Sequence, residues 1–212
     1  MDRIARISFS GNSIRILFES GLSIPLPVTI EYSSKYSVGD SLDEAQILEL
    51  KKKSEKHLCR DKALRYIANP HTESQIRVYL KKKEFSNEAI KDALVFLKKM
   101  NYINDEAYAK RYLNNMLKRK VVGRKYAENR LKQTGVDKVT IERVIREESL
   151  LFDNIDALYE FACKKYESIS GKKNCYAKLV YALNSRGFSS SDIFTVLEKM
   201  KNSGYTFENN MR

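Results

Sequence analysis

Leu80, Phe85, Ile90 and Leu94 follow one another at spacings of five, five and four residues. Leu131, Val136, Ile141 and Ile145 repeat those spacings, and so do Leu183, Phe188, Ile193 and Leu197. The sets are offset by 51 and 52 residues. Each set predicts the end of one helix, a turn, and a second helix whose inner face carries an i,i+4 apolar pair. Leu80, Leu131 and Leu183 close the first helix on its buried side, and Phe85, Val136 and Phe188 plug the corner. Glu84, Gly135 and Gly187 fall in the turn. A glycine takes positive φ after a helix end at little cost; a glutamate does so less readily.

A further amphipathic helix precedes each pair. Ala63, Leu64 and Ile67 mark the first, and Ala109, Leu113 and Met116 the second, which follows Asn104 as N-cap with Asp105 and Glu106 in its first turn. Leu158, Phe161, Ala162 and Ile169 mark the third, ending near Ser170-Gly171. The pattern predicts three tandem three-helix repeats, over 58–101, 102–149 and 150–204, with a tail over 205–212. A helix pair cannot bury its apolar face alone, so stacked repeats imply an elongated, curved module, mainly α.

The first forty residues follow another period. Ile14, Ile16 and Phe18 alternate with Arg15, Leu17 and Glu19, as in a strand, with turn residues at Gly11-Asn12 and Ser20-Gly21. Pro25 and Pro27 confine the next segment to an edge strand or an irregular extension. Residues 1–40 are therefore expected to form a small β-appendage. A connecting helix should start near Ser41, which has capping-box spacing to Glu44, and run to about His57.

The net charge of +12 is localised. Between Leu58 and Glu147 there are 22 basic against 11 acidic side chains, and elsewhere 17 against 16. A concentrated positive field suits a polyanion, either nucleic acid or an acidic protein surface. Lys81, Lys82, Lys110, Arg111, Lys118, Arg119, Lys120, Arg124, Lys125 and Lys132 are the candidate binding residues. With Ala127 and Leu131 inward, Lys125, Asn129 and Lys132 point outward, and the loop at Gly123 can bring two basic clusters to one side. A solvated charged face is the alternative. Tyr108, Tyr112 and Tyr126 lie near these clusters and suit either packing or base stacking.

Cys59, Cys163 and Cys175 are widely spaced without a CxxC, and His57 and His71 are the only histidines, so neither a disulfide framework nor a zinc site is expected. No phosphate loop, catalytic triad or carboxylate cluster is visible, which favours a binding protein without cofactor over an enzyme. The start shows no secretory h-region and no run long enough to span a membrane, so a cytoplasmic protein is expected.

The run Tyr102-Ile103-Asn104-Asp105-Glu106-Ala107-Tyr108-Ala109 resembles the signature between the first two repeats of the RecX family. Gly123-Arg124, Leu131 and Gly135-Val136 resemble its second repeat; Leu80 with Phe85, and Leu183 with Arg186-Gly187-Phe188, resemble its first and third. The resemblance covers residues 58–200. The chain departs from the family pattern at Asn69-Pro70-His71-Thr72-Glu73, and at Glu84, where a glycine is usual. The resemblance implies a modulator, most often an inhibitor, of the RecA recombinase. Such a protein acts in recombination, DNA repair and the SOS response, binding the RecA–DNA filament and, weakly and without sequence preference, single- and double-stranded DNA. The position after each repeat's leucine reads Lys81, Lys132 and Asn184, so repeats one and two are expected to face DNA and repeat three protein, and stacked repeats that close their own core suit a monomer. The alternatives are a sequence-independent or helix-turn-helix DNA- or RNA-binding protein with no recombinase partner, and a catalytic helical protein.

Overall fold

The structure is a computed structural model that describes residues 1–207 except Asn12, Ile30, Glu31, Ser33 and Ser34. It divides into two compact units, Met1–Asn104 and Asp105–Arg212.

In the first unit, β1 (Asp2–Ser10), β2 (Ser13–Phe18), β3 (Ser23–Pro27) and β4 (Ser41–Leu42) form an antiparallel sheet of order β3-β2-β1-β4. Ile14, Ile16 and Phe18 are buried on one face, as their alternation requires. Pro25 and Pro27 lie in β3, an edge strand, where a missing N–H costs no ladder bond. Gly11 and Gly21 turn the chain with positive φ; Asn12 lies outside the described residues.

The helix after the sheet differs from the expectation at both ends. Ser41 does not cap it. Ser41 pairs with Arg3 in the sheet while Leu42 is buried in the sheet core, so the chain is still extended there. The cap is Asp43, whose side chain accepts from the Gln46 N–H at 2.7 Å while Gln46 Oε1 accepts from the Asp43 N–H at 2.9 Å. Nor does the helix stop near His57: α1 (Glu44–Tyr66) runs unbroken for 23 residues. Its first half gives Ile47 and Leu50 to the sheet core, and its second half gives Cys59 and Ala63 to the three-helix core.

That core is completed by α2 (Glu73–Lys81) and α3 (Asn87–Lys99). Thr72 and Gln75 form the capping box of α2. The Glu55 carboxylate accepts from the Ser86 N–H and hydroxyl at 2.6 and 2.9 Å, joining α1 to the start of α3. Arg60 clamps Asp92 in a bidentate pair at 2.7 and 3.0 Å. Leu80, Ile90 and Leu94 are buried, and Phe85 packs at their edge.

The second unit holds two further three-helix groups. The first comprises α4 (Asp105–Leu117), α5 (Arg124–Gln133) and α6 (Lys138–Glu147). After a 3-10 turn over Ser149–Phe152 come α7 (Ile155–Ile169), α8 (Cys175–Ser185) and α9 (Ser190–Asn202). Each group has its own core, built from the expected residues: Leu131, Val136, Ile141 and Ile145 in one, Leu183, Phe188, Ile193 and Leu197 in the other. Tyr205 and Phe207, in the segment expected as a tail, pack on the last core. Thus the chain is mainly helical, with repeated three-helix units and a small N-terminal sheet. No helix among the described residues is long and apolar enough to cross a membrane.

Glu84, Gly135 and Gly187 all take positive φ, at 63°, 84° and 79°. Glu84 therefore occupies a glycine's conformation, held by Phe85 N–H donating to the Leu80 carbonyl at 3.4 Å. Glu84→Gly is expected to raise the stability by about 0.5–1 kcal/mol, because relief of left-handed strain outweighs the added chain entropy. The midpoint of urea unfolding checks this.

Candidate nucleic-acid interface

The second unit carries most of the candidate cations, and its geometry is set where two turns meet. Gly123, the N-cap of α5, donates its N–H to the Arg186 carbonyl at 2.8 Å, and Lys125 N–H reaches the Gly187 carbonyl at 3.3 Å. The backbones are so close that a Cβ on Gly123 would lie 2.2 Å from the Gly187 carbonyl oxygen. A Cβ on Gly187 would lie 2.1 Å from the Tyr126 nitrogen. Arg186 strengthens the junction: its Nη1 donates to the Val121 carbonyl at 3.1 Å and its guanidinium lies 4.4 Å from the Phe161 ring centre. Val121 packs on the core of the last three-helix group. The loop 118–123 is thereby anchored at its C-terminal end, and the basic residues before it are presented on a held segment.

On one side of α4 and α5 lies an open groove of about 210 Å³, lined by Tyr112, Asn115, Met116, Arg119, Lys120, Tyr126 and Arg130. Its described lining holds three cations and two tyrosine rings, with no carboxylate among the described residues. Arg130 lies 5.7 Å from the Tyr126 ring centre and donates to the neutral Gln133 side chain at 3.0 Å. Tyr112 stacks against Tyr108 at 6.1 Å, and both are half-buried.

A larger groove, about 640 Å³, opens beside the glycine contact. Arg124 and Lys125 line it together with Glu128, Asp153 and Asp192, so its charge is mixed. Arg124 is drawn toward Asp153 at 3.5 Å and toward the Phe152 ring at 5.8 Å. A phosphate chain would find both signs there, and only cations in the smaller groove.

The expected residues therefore separate. Lys118, Arg119 and Lys120 are exposed, and the latter two meet Tyr112, Tyr126 and Arg130 in one groove. Lys125 and Lys132 are exposed on α5, as the helical period requires, and Arg111 is exposed on α4. No ion pair among the described residues engages any of these six. Lys110 is different. Its ammonium is held by Glu147 at 2.8 Å and Glu106 at 3.1 Å, which raise its pKa, and Arg143 pairs with the same Glu106 at 2.9 Å. Its charge serves the packing of α4 on α6. Lys81 and Lys82 belong to the first unit, exposed at the end of α2. Beside them Lys83 sits 5.9 Å from the Tyr79 ring centre, at the end of a Tyr79–Tyr66–His71 stack spaced 3.8 and 4.0 Å. Two groove residues, Asn115 and Arg130, are absent from the sequence expectation. The i,i+4 spacing of Tyr126 and Arg130 was the available signal for the second.

The described residues contain no group of three or more His, Cys, Asp or Glu side chains that could hold a metal. Burial pushes the Cys59 thiol up to about 11, which keeps it protonated.

Repeated three-helix units behind a small N-terminal sheet define a mainly helical repeat protein. Residues 59–97 match the family model for RecX, first three-helix domain. A regulatory protein RecX from Clostridium perfringens (strain SM101 / Type A) is 26% identical over 202 residues, covering 92% of each chain. One from Listeria monocytogenes serovar 1/2a is 32% identical over 159 residues, covering 72% of this chain and 57% of its own. A crystal structure of regulatory protein RecX superposes with a TM-score of 0.76 at 20% identity, covering 93% of this chain and all of the other. That of RecX from Lactobacillus salivarius gives a TM-score of 0.61 at 21% identity, over 69% of this chain and 97% of the other. The chain belongs to the RecX family, whose members named above are called regulatory proteins.

Gly187→Ala is expected to cost about 3 kcal/mol or more, because left-handed strain adds to a backbone clash. Gly171→Ala, at φ 74° with nothing within 4 Å, should cost only about 1 kcal/mol. Parallel thermal unfolding of the two variants checks the difference.

Proposed function

We propose that this protein binds a RecA-type recombinase filament on DNA and limits its growth or activity, acting in the cytoplasm in recombination and repair, as a monomer and without cofactor. Membership of the RecX family supports the regulatory role. The observation that carries the DNA side is the set of exposed cations on α4, α5 and their loop that no carboxylate among the described residues neutralises. Lysine and arginine at such positions exchange condensed counterions for phosphate contacts, so affinity falls steeply with salt and depends little on sequence. The third three-helix group has the asparagine Asn184 where the first two have Lys81 and Lys132. Its surface suits protein contacts. A module held by both would bridge adjacent recombinase subunits and block addition, or speed loss, of the next.

The recombinase's ATP hydrolysis on single-stranded DNA, with this protein titrated in, tests the proposal. Inhibition at substoichiometric protein is expected, lost in the Lys125→Glu, Lys132→Glu double variant and kept in Lys178→Glu. An effect that appears only when the protein saturates the DNA, and vanishes with salt, would mean competition for phosphates alone. The chain would then be a nucleic-acid-binding protein without a recombinase partner.

A further inference from the structure

We infer that the groove between α4 and α5 is a stacking notch for the unpaired bases of single-stranded nucleic acid, with Tyr112 and Tyr126 as the platforms. The inference rests on the reading that this basic face meets DNA, and it names which form of DNA and which atoms.

A site that gripped only the backbone would need cations alone, whereas this groove pairs its cations with half-exposed rings. Tyr126 and Arg130 stand one turn apart on α5, and Tyr112 and Asn115 occupy neighbouring positions on the facing side of α4. Every base has a π-face, so stacking on tyrosine and guanidinium planes is sequence-tolerant, and Arg119 and Lys120 in the same lining supply charge for the flanking phosphates. The Asn115 side-chain amide offers a donor and an acceptor to a base edge. Bases in a duplex are already stacked and present no free face, so the notch favours single strands. An acidic protein segment would match the cations and leave the rings and the amide without a role.

The backbone supports this use of the rings. Tyr126 N and Cβ are wedged against Gly187, which holds the root of the side chain while its ring reaches the groove. The platform is thereby partly ordered before a base arrives, which lowers the entropy cost of stacking on it.

The test uses the full chain and fluorescence anisotropy, with an oligothymidylate and an abasic oligomer of equal length and charge. The oligothymidylate is expected to bind roughly tenfold more tightly. Tyr126→Leu and Tyr112→Leu should each weaken oligothymidylate binding more than abasic binding and so shrink that preference, and Tyr126→Phe should keep it. Circular dichroism separates these effects from loss of fold. Equal affinity of the wild-type chain for the two oligomers would overturn the notch. So would polyglutamate displacing the oligothymidylate as well as an abasic strand does, since the occupant would then be an acidic polypeptide. No recombinase is present, so a failure here with filament inhibition intact removes the notch alone. Failure of inhibition with the base preference intact removes the filament reading instead.

Discussion

Gly123 and Gly187 touch through their backbones, and that contact decides where the basic surface of the second unit lies. Sixty-four residues separate them, one at the start of α5 and the other in the turn between α8 and α9. Neither position has room for a Cβ. Two N–H groups of the α5 start, which helix geometry leaves without intrahelical partners, are satisfied across the junction by the Arg186 and Gly187 carbonyls. The same contact that satisfies the helix end therefore locks one three-helix group to the next. The groove residues Tyr126 and Arg130 sit within the first two turns of the helix so anchored.

Charge is used in two ways. In the first unit Lys56 pairs with Glu88, Arg60 with Asp92 and Lys98 with Glu73, each joining two helices, while Arg77 pairs with Glu73 within α2. Exposed pairs of this kind contribute little each to stability. Lys110, Glu106, Glu147 and Arg143 join α4 to α6 in the same way. Around the loop at 118–120 the cations have no such partner among the described residues, which leaves a positive field directed at solvent.

Most of the helical architecture was legible from one repeated spacing, because Leu80, Leu131 and Leu183 must be buried and the following residues must turn. The β-appendage was legible from a period of two and from Pro25 and Pro27. What was illegible depends on contacts between distant residues. Nothing near Lys110 in sequence reveals that Glu147 takes its charge. The capping box at Asp43 lost to the one apparent at Ser41 because β4 claims Ser41 for pairing with β1. The break near His57 vanished because one helix serves two cores, and a polar stretch at the changeover looks like a helix end. The groove was half legible: Lys120 and Tyr126 could be named, while the loop that brings them together is shaped by the Gly187 contact.

Hydrogen–deuterium exchange of the chain, alone and with recombinase assembled on single-stranded DNA, tests the central claim that the α4–loop–α5 face is the surface that meets the filament. Slowed exchange over residues 115–132, with the sheet of residues 1–42 unchanged, is the predicted result. Protection confined to the sheet or to α1, with the loop at 118–123 exchanging as fast as before, would contradict the account.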